Sequence, residues 1–321
     1  MMHKRRVASV IVLLVALLLA AVGCSAGGDA APGPASAARA ADWLVATHQN
    51  DDGGYSSFSA GAGAAPSDVV GTIDALPALA AAEVDTAPAL DYLRAHSADL
   101  QAAAIGDGGQ AGKIVLALDA AGVDPAGFER HDYVADLAAH LGDDGAYAGD
   151  PFKQALAMLG LVAAGQEVPA AAATWLEGSQ GAGGSWDDGF GTLDNADATA
   201  MAIMSLLAAG RAADDPAVAA AVDFLAGAQA AEGGWGYGAG LPASANSTAV
   251  VVQALLALGE DVTATEGRWA TAGGSPLDAL LAFQGESGAF RADFGDGPAD
   301  DFYSTVQAIP AAAGHTLPPQ E

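Results

Sequence analysis

Three polar residues of this chain stand on stretches that are otherwise apolar: Asp74, Gln253 and Gln307. A polar side chain on a helix buried on all sides must find a hydrogen-bond partner, and a bound ligand is one way to supply it. Asp197 and Asn246 form a second set, each two residues before a Thr (Thr199, Thr248) that opens an apolar run. Asp and Asn favour helix N-caps and Thr suits a first turn, so capping alone would account for them. Repeated around a pocket, the same placement also turns N–H groups and side chains towards a ligand. Tyr303 belongs with this set. Trp235 and Tyr237 could cover a ligand, or they could lock an outer helix to its neighbour.

Other chemistries fail on spacing. Cys24 is the only cysteine, so the rest of the chain has no disulfide and no thiolate metal site. The six His residues show no His-Glu-x-x-His pattern, and Gly112-Lys113 lacks the flanking residues of a phosphate loop. Asp51-Asp52, Asp143-Asp144 and Asp187-Asp188 lack an EF-hand's alternating acids and closing Glu; they read as solvated turn residues. With 39 acidic against 11 basic residues and a net charge of −28, nucleic acid is a poor partner. The abundance of acids leaves a glycan-cleaving carboxylate pair open.

The elements that must position these residues are set by a repeated phrase. Gln49, Gln180, Gln229 and Gln284 each lie six residues before an aromatic, with an acidic or Gly-rich stretch between. His140 before Tyr147 is the same phrase one residue longer, and Asp107-Gly108-Gly109-Gln110 is a degraded copy. A period of about 40–50 residues marks a repeat architecture. Each unit reads as an outer helix with one apolar face, such as Val218, Val222 and Leu225, then a Gly-rich loop, then an inner helix apolar all round. Six hairpins make an open solenoid or a closed ring. No clearly polar capping repeat stands at either end, which favours closure. The fold expected is all-α, an (α/α)6 toroid over residues 38–316.

Before it, His3-Lys4-Arg5-Arg6 and the apolar run Val7 to Val22 read as a lipoprotein signal peptide over residues 1–23, too short for a comfortable span. Ala21-Val22-Gly23-Cys24-Ser25 resembles a lipobox, with Cys24 the lipidated residue. Residues 24–37 read as a flexible tether and 317–321 as a tail. The protein is expected to be exported and anchored to the outer face of the cell membrane.

The Gln-to-Gly-Gly-Trp phrase resembles the repeat of the terpenoid cyclase/protein prenyltransferase toroid superfamily, known as prenyltransferase/squalene-oxidase repeats. Thr72-Ile73-Asp74-Ala75-Leu76-Pro77, Asp197-Ala198-Thr199-Ala200 and Thr305-Val306-Gln307-Ala308 are similar to inner-helix phrases of the intrinsic factor/transcobalamin α-domain. Bacterial exported proteins with these repeats are similar over the whole stretch. The prenyltransferase branch implies a Zn2+ held by Asp, Cys and His, and the Cys is absent. The cyclase branch implies an Asp-x-Asp-Asp-Thr-Ala acid motif. Asn195-Ala196-Asp197-Ala198-Thr199-Ala200 matches it with Asp197 on the proton-donating position but Asn and Ala for the neighbouring acids. At 6% aromatic residues, the chain is also poor in π faces for carbocations.

The expected function is therefore a lipid-anchored protein that binds a small, partly apolar ligand, with a corrinoid as the candidate the resemblance implies. An envelope partner protein could supply a lid for such a ligand. The alternative is an enzyme acting on an isoprenoid or a glycan, with Asp197 as its acid. The ligand-binding residues expected are Asp74, Asp197, Thr199, Asn246, Thr248, Gln253, Tyr303, Gln307, Trp235 and Tyr237. The site is placed on the Gly-rich rim around Asp197, Asn246, Thr248 and Tyr303; a largest pocket on the opposite rim, or a central cavity filled by apolar side chains, would overturn that placement and favour a third reading, a scaffold whose loop face binds another envelope protein.

Overall fold

The computed structural model describes residues 32–57, 65–189, 191 and 194–318. The signal peptide, Cys24 and the first part of the tether lie outside the described residues. Six helical hairpins follow one another along the chain. They are α1 (Pro32–His48) with α2 (Val69–Ala81), and α3 (Ala87–Ala95) and α4 (Ser97–Gly106) with α5 (Gly108–Ala120). Next come α6 (Tyr133–Ala139) with α7 (Pro151–Ala163), and α8 (Ala170–Gly178) with α9 (Ala196–Ala208). The last two are α10 (Pro216–Ala228) with α11 (Ala245–Ala257), and α12 (Pro276–Leu281) with α13 (Phe302–Ala313). The first helix begins at Pro32, so residues 32–37 belong to the domain and not to a tether.

The second helix of each hairpin packs on the next in the order α2, α5, α7, α9, α11, α13, and α13 returns to α2. The ring is closed, as expected. Small residues let the inner helices meet closely: a Cβ on Gly112 of α5 would run into the Leu156 carbonyl of α7. Helix α9 buries every residue from Ala198 to Leu206, whereas α10 buries only Val218, Ala221, Val222 and Leu225. The fully apolar helices are inside and the amphipathic ones outside. The only strands among the described residues are β1 (Arg291–Ala292) and β2 (Ala299–Asp300), an antiparallel pair in the last loop.

The repeated phrase works as a set of hydrogen bonds. The N–H of the loop aromatic donates to the Thr hydroxyl of the following inner helix: Tyr55 to Thr72 at 2.9 Å, Trp186 to Thr199 at 3.1 Å, Trp235 to Thr248 and Phe290 to Thr305 at 3.0 Å. In the third unit Gln154 Oε1 replaces the Thr, accepting from Tyr147 N at 2.7 Å. The loop Gln donates to the loop backbone, as at Gly184, Gly233 and Gly288, and also to the next outer helix or the segment just before it, at Ala217, Trp269 and Ser36. Ser36 lies in α1, so the last unit is stapled to the first by the bond that joins neighbours elsewhere. Gly184 holds φ 88° and sits against the Ala220 carbonyl of α10, where a side chain would be strained and crowded.

The degraded copy forms no loop. Asp107 alone separates α4 from α5, capping α5 through Gln110 N. Gly108 and Gly109 instead start α5, pressed against the Tyr147 carbonyl and the Lys153 side chain.

Candidate functional site

Every inner helix is capped by a side chain that accepts from the N–H three residues on: Asp68, Asp107, Asp150, Asn195, Ser244 and Asp301. Asp197 and Asn246 are therefore not caps. They sit two residues inside α9 and α11, because these helices begin earlier than the Thr register implies.

Counting from the caps sorts the bore into layers. Two residues in stand Phe152, Asp197, Asn246 and Tyr303. Six residues in stand Asp74, Lys113, Leu156, Met201, Val250 and Gln307, all lining one central cavity of about 260 Å³. Nine residues in, Pro77, Leu116, Gln253 and Pro310 line it too. The six-residue layer is divided. Gln307, Asp74 and Lys113 come from the adjacent helices α13, α2 and α5, and Leu156, Met201 and Val250 from α7, α9 and α11. Half of the ring is polar and half apolar.

On the polar side Lys113 pairs with Asp74 Oδ1. Burial pushes the Asp74 carboxyl up from the usual carboxylate range, and the Lys113 ammonium opposes that shift. Gln253 is only 3% exposed, and its Nε2 donates to the Gln307 carbonyl at 3.4 Å. Asp74 Oδ2, Gln253 Oε1 and Gln307 Oε1 are buried with no hydrogen-bond partner.

Above this cavity, and sharing Lys113, Phe152 and Leu156 with it, a rim pocket of about 280 Å³ opens on the Gly-rich side. It holds Asp197, Asp188, Tyr237, Asp107, Asp150 and Lys153. Burial pushes the Asp197 carboxyl up to about 7, a hydrogen bond from Ser247 opposes the shift, and the Asp188 charge adds to it. Asp197 Oδ1 has no hydrogen-bond partner. Tyr237 donates its hydroxyl to Asp188 Oδ2 at 2.6 Å, and burial with that carboxylate raises the Tyr237 pKa. Lys153 is held by Asp107 at 2.9 Å. Asp197 thus gains or loses a proton near neutrality, which suits proton donation or acceptance.

The expected site residues divide accordingly. Asp74, Gln253, Gln307 and Tyr303 reach the central cavity, and Asp197 and Tyr237 the rim pocket. Thr199, Thr248 and Trp235 reach neither. Both Thr hydroxyls are buried on loop N–H groups. Trp235 is fully buried, with its Nε1 donating to Leu225 O at 2.7 Å. Asn246 accepts from the Ser304 hydroxyl.

Asp188, read from sequence as a solvated turn acid, is only 4% exposed. It lies two residues after Trp186, and Tyr237 lies two after Trp235. The repeat register alone could have brought this pair together. A larger hollow of about 550 Å³ opens on the opposite rim, lined by Asp119, Met204, Leu207, Thr316 and Leu317 among others. By size this runs against the expected placement. The orphaned side-chain oxygens of Asp74, Gln253, Gln307 and Asp197 nevertheless belong to residues lining the bore and the Gly-rich rim. Leu317, the first residue of the expected tail, lines both the hollow and the bore.

No protein-family model matches the chain, and no curated protein matches it in sequence. Among solved structures it is similar to the type II terpene cyclase MstE from Scytonema, at 17% identity and a TM-score of 0.64 over 88% of this chain and 98% of that one. The fold is an α/α toroid like that of this cyclase. The ent-copalyl diphosphate synthase from Streptomyces platensis aligns with it at 22% identity and a TM-score of 0.53 over 78% of this chain. The match covers 51% of that synthase, so the chain spans about half its length. A protein from Actinoplanes aligns at 17% identity and a TM-score of 0.58 over 88% of this chain and 98% of that one. Another MstE structure holds geranylgeranyl dihydroxybenzoate. At these identities the likeness speaks for the toroid alone.

Proposed function

We propose that this toroid binds a small, partly apolar ligand in its central bore, entered from the Gly-rich rim, and that Cys24 anchors it to the outer face of the membrane. The observation that carries the binding reading is the divided ring, polar at Gln307, Asp74 and Lys113 and apolar at Leu156, Met201 and Val250. A cyclase bore must shelter carbocations with π faces. Here Phe152 and Tyr303 are the aromatic rings in the lining, while the Lys113–Asp74 pair leaves no net negative charge to stabilise a passing cation and unpartnered lone pairs would trap it. Those features disfavour cyclisation and favour holding a molecule unchanged.

The bore, about 260 Å³, lies at the small end of ligand pockets, which run about 300–1,000 Å³. A corrinoid would rest on the rim beneath a partner protein, while a single-chain isoprenoid would enter. Calorimetric titration with farnesol and with cobalamin tests this. Saturable farnesol binding is expected, lost in Val250→Phe with its melting temperature kept. Absence of saturable binding by any apolar probe would end the binding reading. Cys24→Ala is expected to release the protein into the medium, and unchanged membrane retention would end the anchor.

A second reading has Asp197 for support, a buried carboxyl held at about 7 beside Asp188. On this reading the protein is an acid-dependent enzyme on an isoprenoid, or on a glycan through both carboxyls. Incubation with a geranylgeranylated arene would give a cyclised product with the wild type and none with Asp197→Asn. An unaltered substrate in both would remove the isoprenoid version.

A further inference from the structure

The oxygens left without partners in the bore are all acceptors. Asp74 Oδ2, Gln253 Oε1 and Gln307 Oε1 carry lone pairs, and no protein donor reaches them. The orientation of the Gln253 amide is set by its own bond, since Nε2 donates to the Gln307 carbonyl. A buried acceptor without a donor costs about 1–3 kcal/mol, so three on one wall are a standing demand for hydrogens.

The charge on that wall is already balanced, because Lys113 pairs with Asp74. An added ammonium would leave the bore with a net positive charge, and an added carboxylate or phosphate would set lone pairs against lone pairs. Either would carry the cost of burying an uncompensated ion. The opposite wall, with Phe152, Leu156 and Met201, offers nothing to hydrogen-bond and suits a hydrocarbon body.

We infer that the bore selects neutral, apolar alcohols, whose hydroxyl hydrogen is taken by one of the acceptors clustered on Asp74, Gln253 and Gln307 while the hydrocarbon part lies against the α7 and α9 wall. This rests on the binding reading above and specifies the head group that reading leaves open. Gln253 and Gln307 come from adjacent inner helices, and Asp74 from the next helix round the ring. The selection is therefore built into the layers and needs no lid.

The test keeps the body constant and changes only the head. Geraniol, geranylamine, geranic acid and the parent hydrocarbon myrcene are titrated into the purified protein by calorimetry at one pH. Geraniol is expected to bind at least tenfold more tightly than the amine or the acid, and about fivefold more tightly than myrcene. At least one of Gln307→Leu and Gln253→Leu should weaken geraniol about fivefold while leaving myrcene unchanged or tighter. Thermal melting confirms that each variant is folded, and these exchanges remove an unpartnered oxygen without stranding Lys113. Binding of all four probes with similar affinity, or a preference for the amine or the acid, would overturn the head-group selection and leave the binding reading standing. Binding of none would overturn both.

Discussion

Asp197 has a large environmental perturbation for its position in the chain. A carboxyl two residues into a helix is ordinarily solvated and ionised, and the helix N-terminus favours its charge. Here burial outweighs that and holds the proton up to about 7. The folded-state value lies above the unfolded one, so the unfolded chain releases this proton first, from about pH 4. This group's contribution to stability is greatest below that pH, declines as pH rises through the folded value, and is flat above it. Asp197→Asn should then gain on the wild type between pH 4 and 7, reaching on the order of 2–4 kcal/mol at pH 8. Urea denaturation at fixed pH values measures it. A difference that does not change with pH would show that the carboxyl is not held protonated. Asp197 was visible in the sequence because it stands beside a repeated Thr. Its freedom from capping was not, because Asn195 has equal capping chemistry two residues earlier and helix starts are poorly marked in an Ala-rich run. Asp188 was missed because an acid in a Gly-rich loop usually meets water, whereas here the neighbouring repeat's Tyr237 packs over it and donates to it.

At the scale of the element, the unit of this fold is a loop aromatic clamped to the next inner helix. In four units a Thr hydroxyl accepts the aromatic's N–H, and in three of them it also donates back to its own N-cap carbonyl. In the fifth unit Thr248 Oγ1 lies 3.3 Å from the Trp235 carbonyl. Thr248→Val keeps the shape but leaves the buried Trp235 N–H without an acceptor, which costs about 1–3 kcal/mol. Thr248→Ser should recover most of that loss. Chemical denaturation of the two variants separates hydroxyl from shape, and equal losses would show that the methyl group matters instead. The regular spacing of Thr72, Thr199 and Thr248 was legible, and so was the loop Gln. The bond that each Thr accepts from a loop N–H was not, since a polar group at an inner-helix start is equally suited to a ligand until the loop backbone is in place. The divided ring was legible only in part. Asp74, Gln253 and Gln307 stood out against apolar surroundings, but Lys113 was read as part of a failed phosphate loop. Its pairing with Asp74 depends on α2 and α5 lying side by side.

The domain formed by the described residues is a ring, and a ring has no end repeats. In an open solenoid a terminal unit has one neighbour, so loosening an end junction releases little more than that unit. Here the last junction uses the bond that the others use: Gln284 donates to Gly288 O and to Ser36 O, as Gln229 donates to Gly233 O and Trp269 O, every distance 2.8 or 2.9 Å. Gly288 is pressed against the Arg39 carbonyl of α1 as Gly184 is against Ala220 of α10. The contact between α13 and α1 is therefore one more internal junction, although its partners lie at opposite ends of the described sequence. Gln229→Ala and Gln284→Ala each remove two such bonds, worth about 0.5–1.5 kcal/mol apiece, and Gln284→Ala also removes the exposed bond that Gln284 Oε1 accepts from Arg39. Gln229→Ala should lose about 1–3 kcal/mol and Gln284→Ala at least as much, each in a single cooperative transition with an unchanged denaturant slope. Hydrogen exchange adds the spatial check. If the ring carries the stability, Gln284→Ala raises exchange around the whole set of inner helices. If α1 alone becomes labile while α5 to α11 keep their protection, the chain behaves as a solenoid whose ends merely touch.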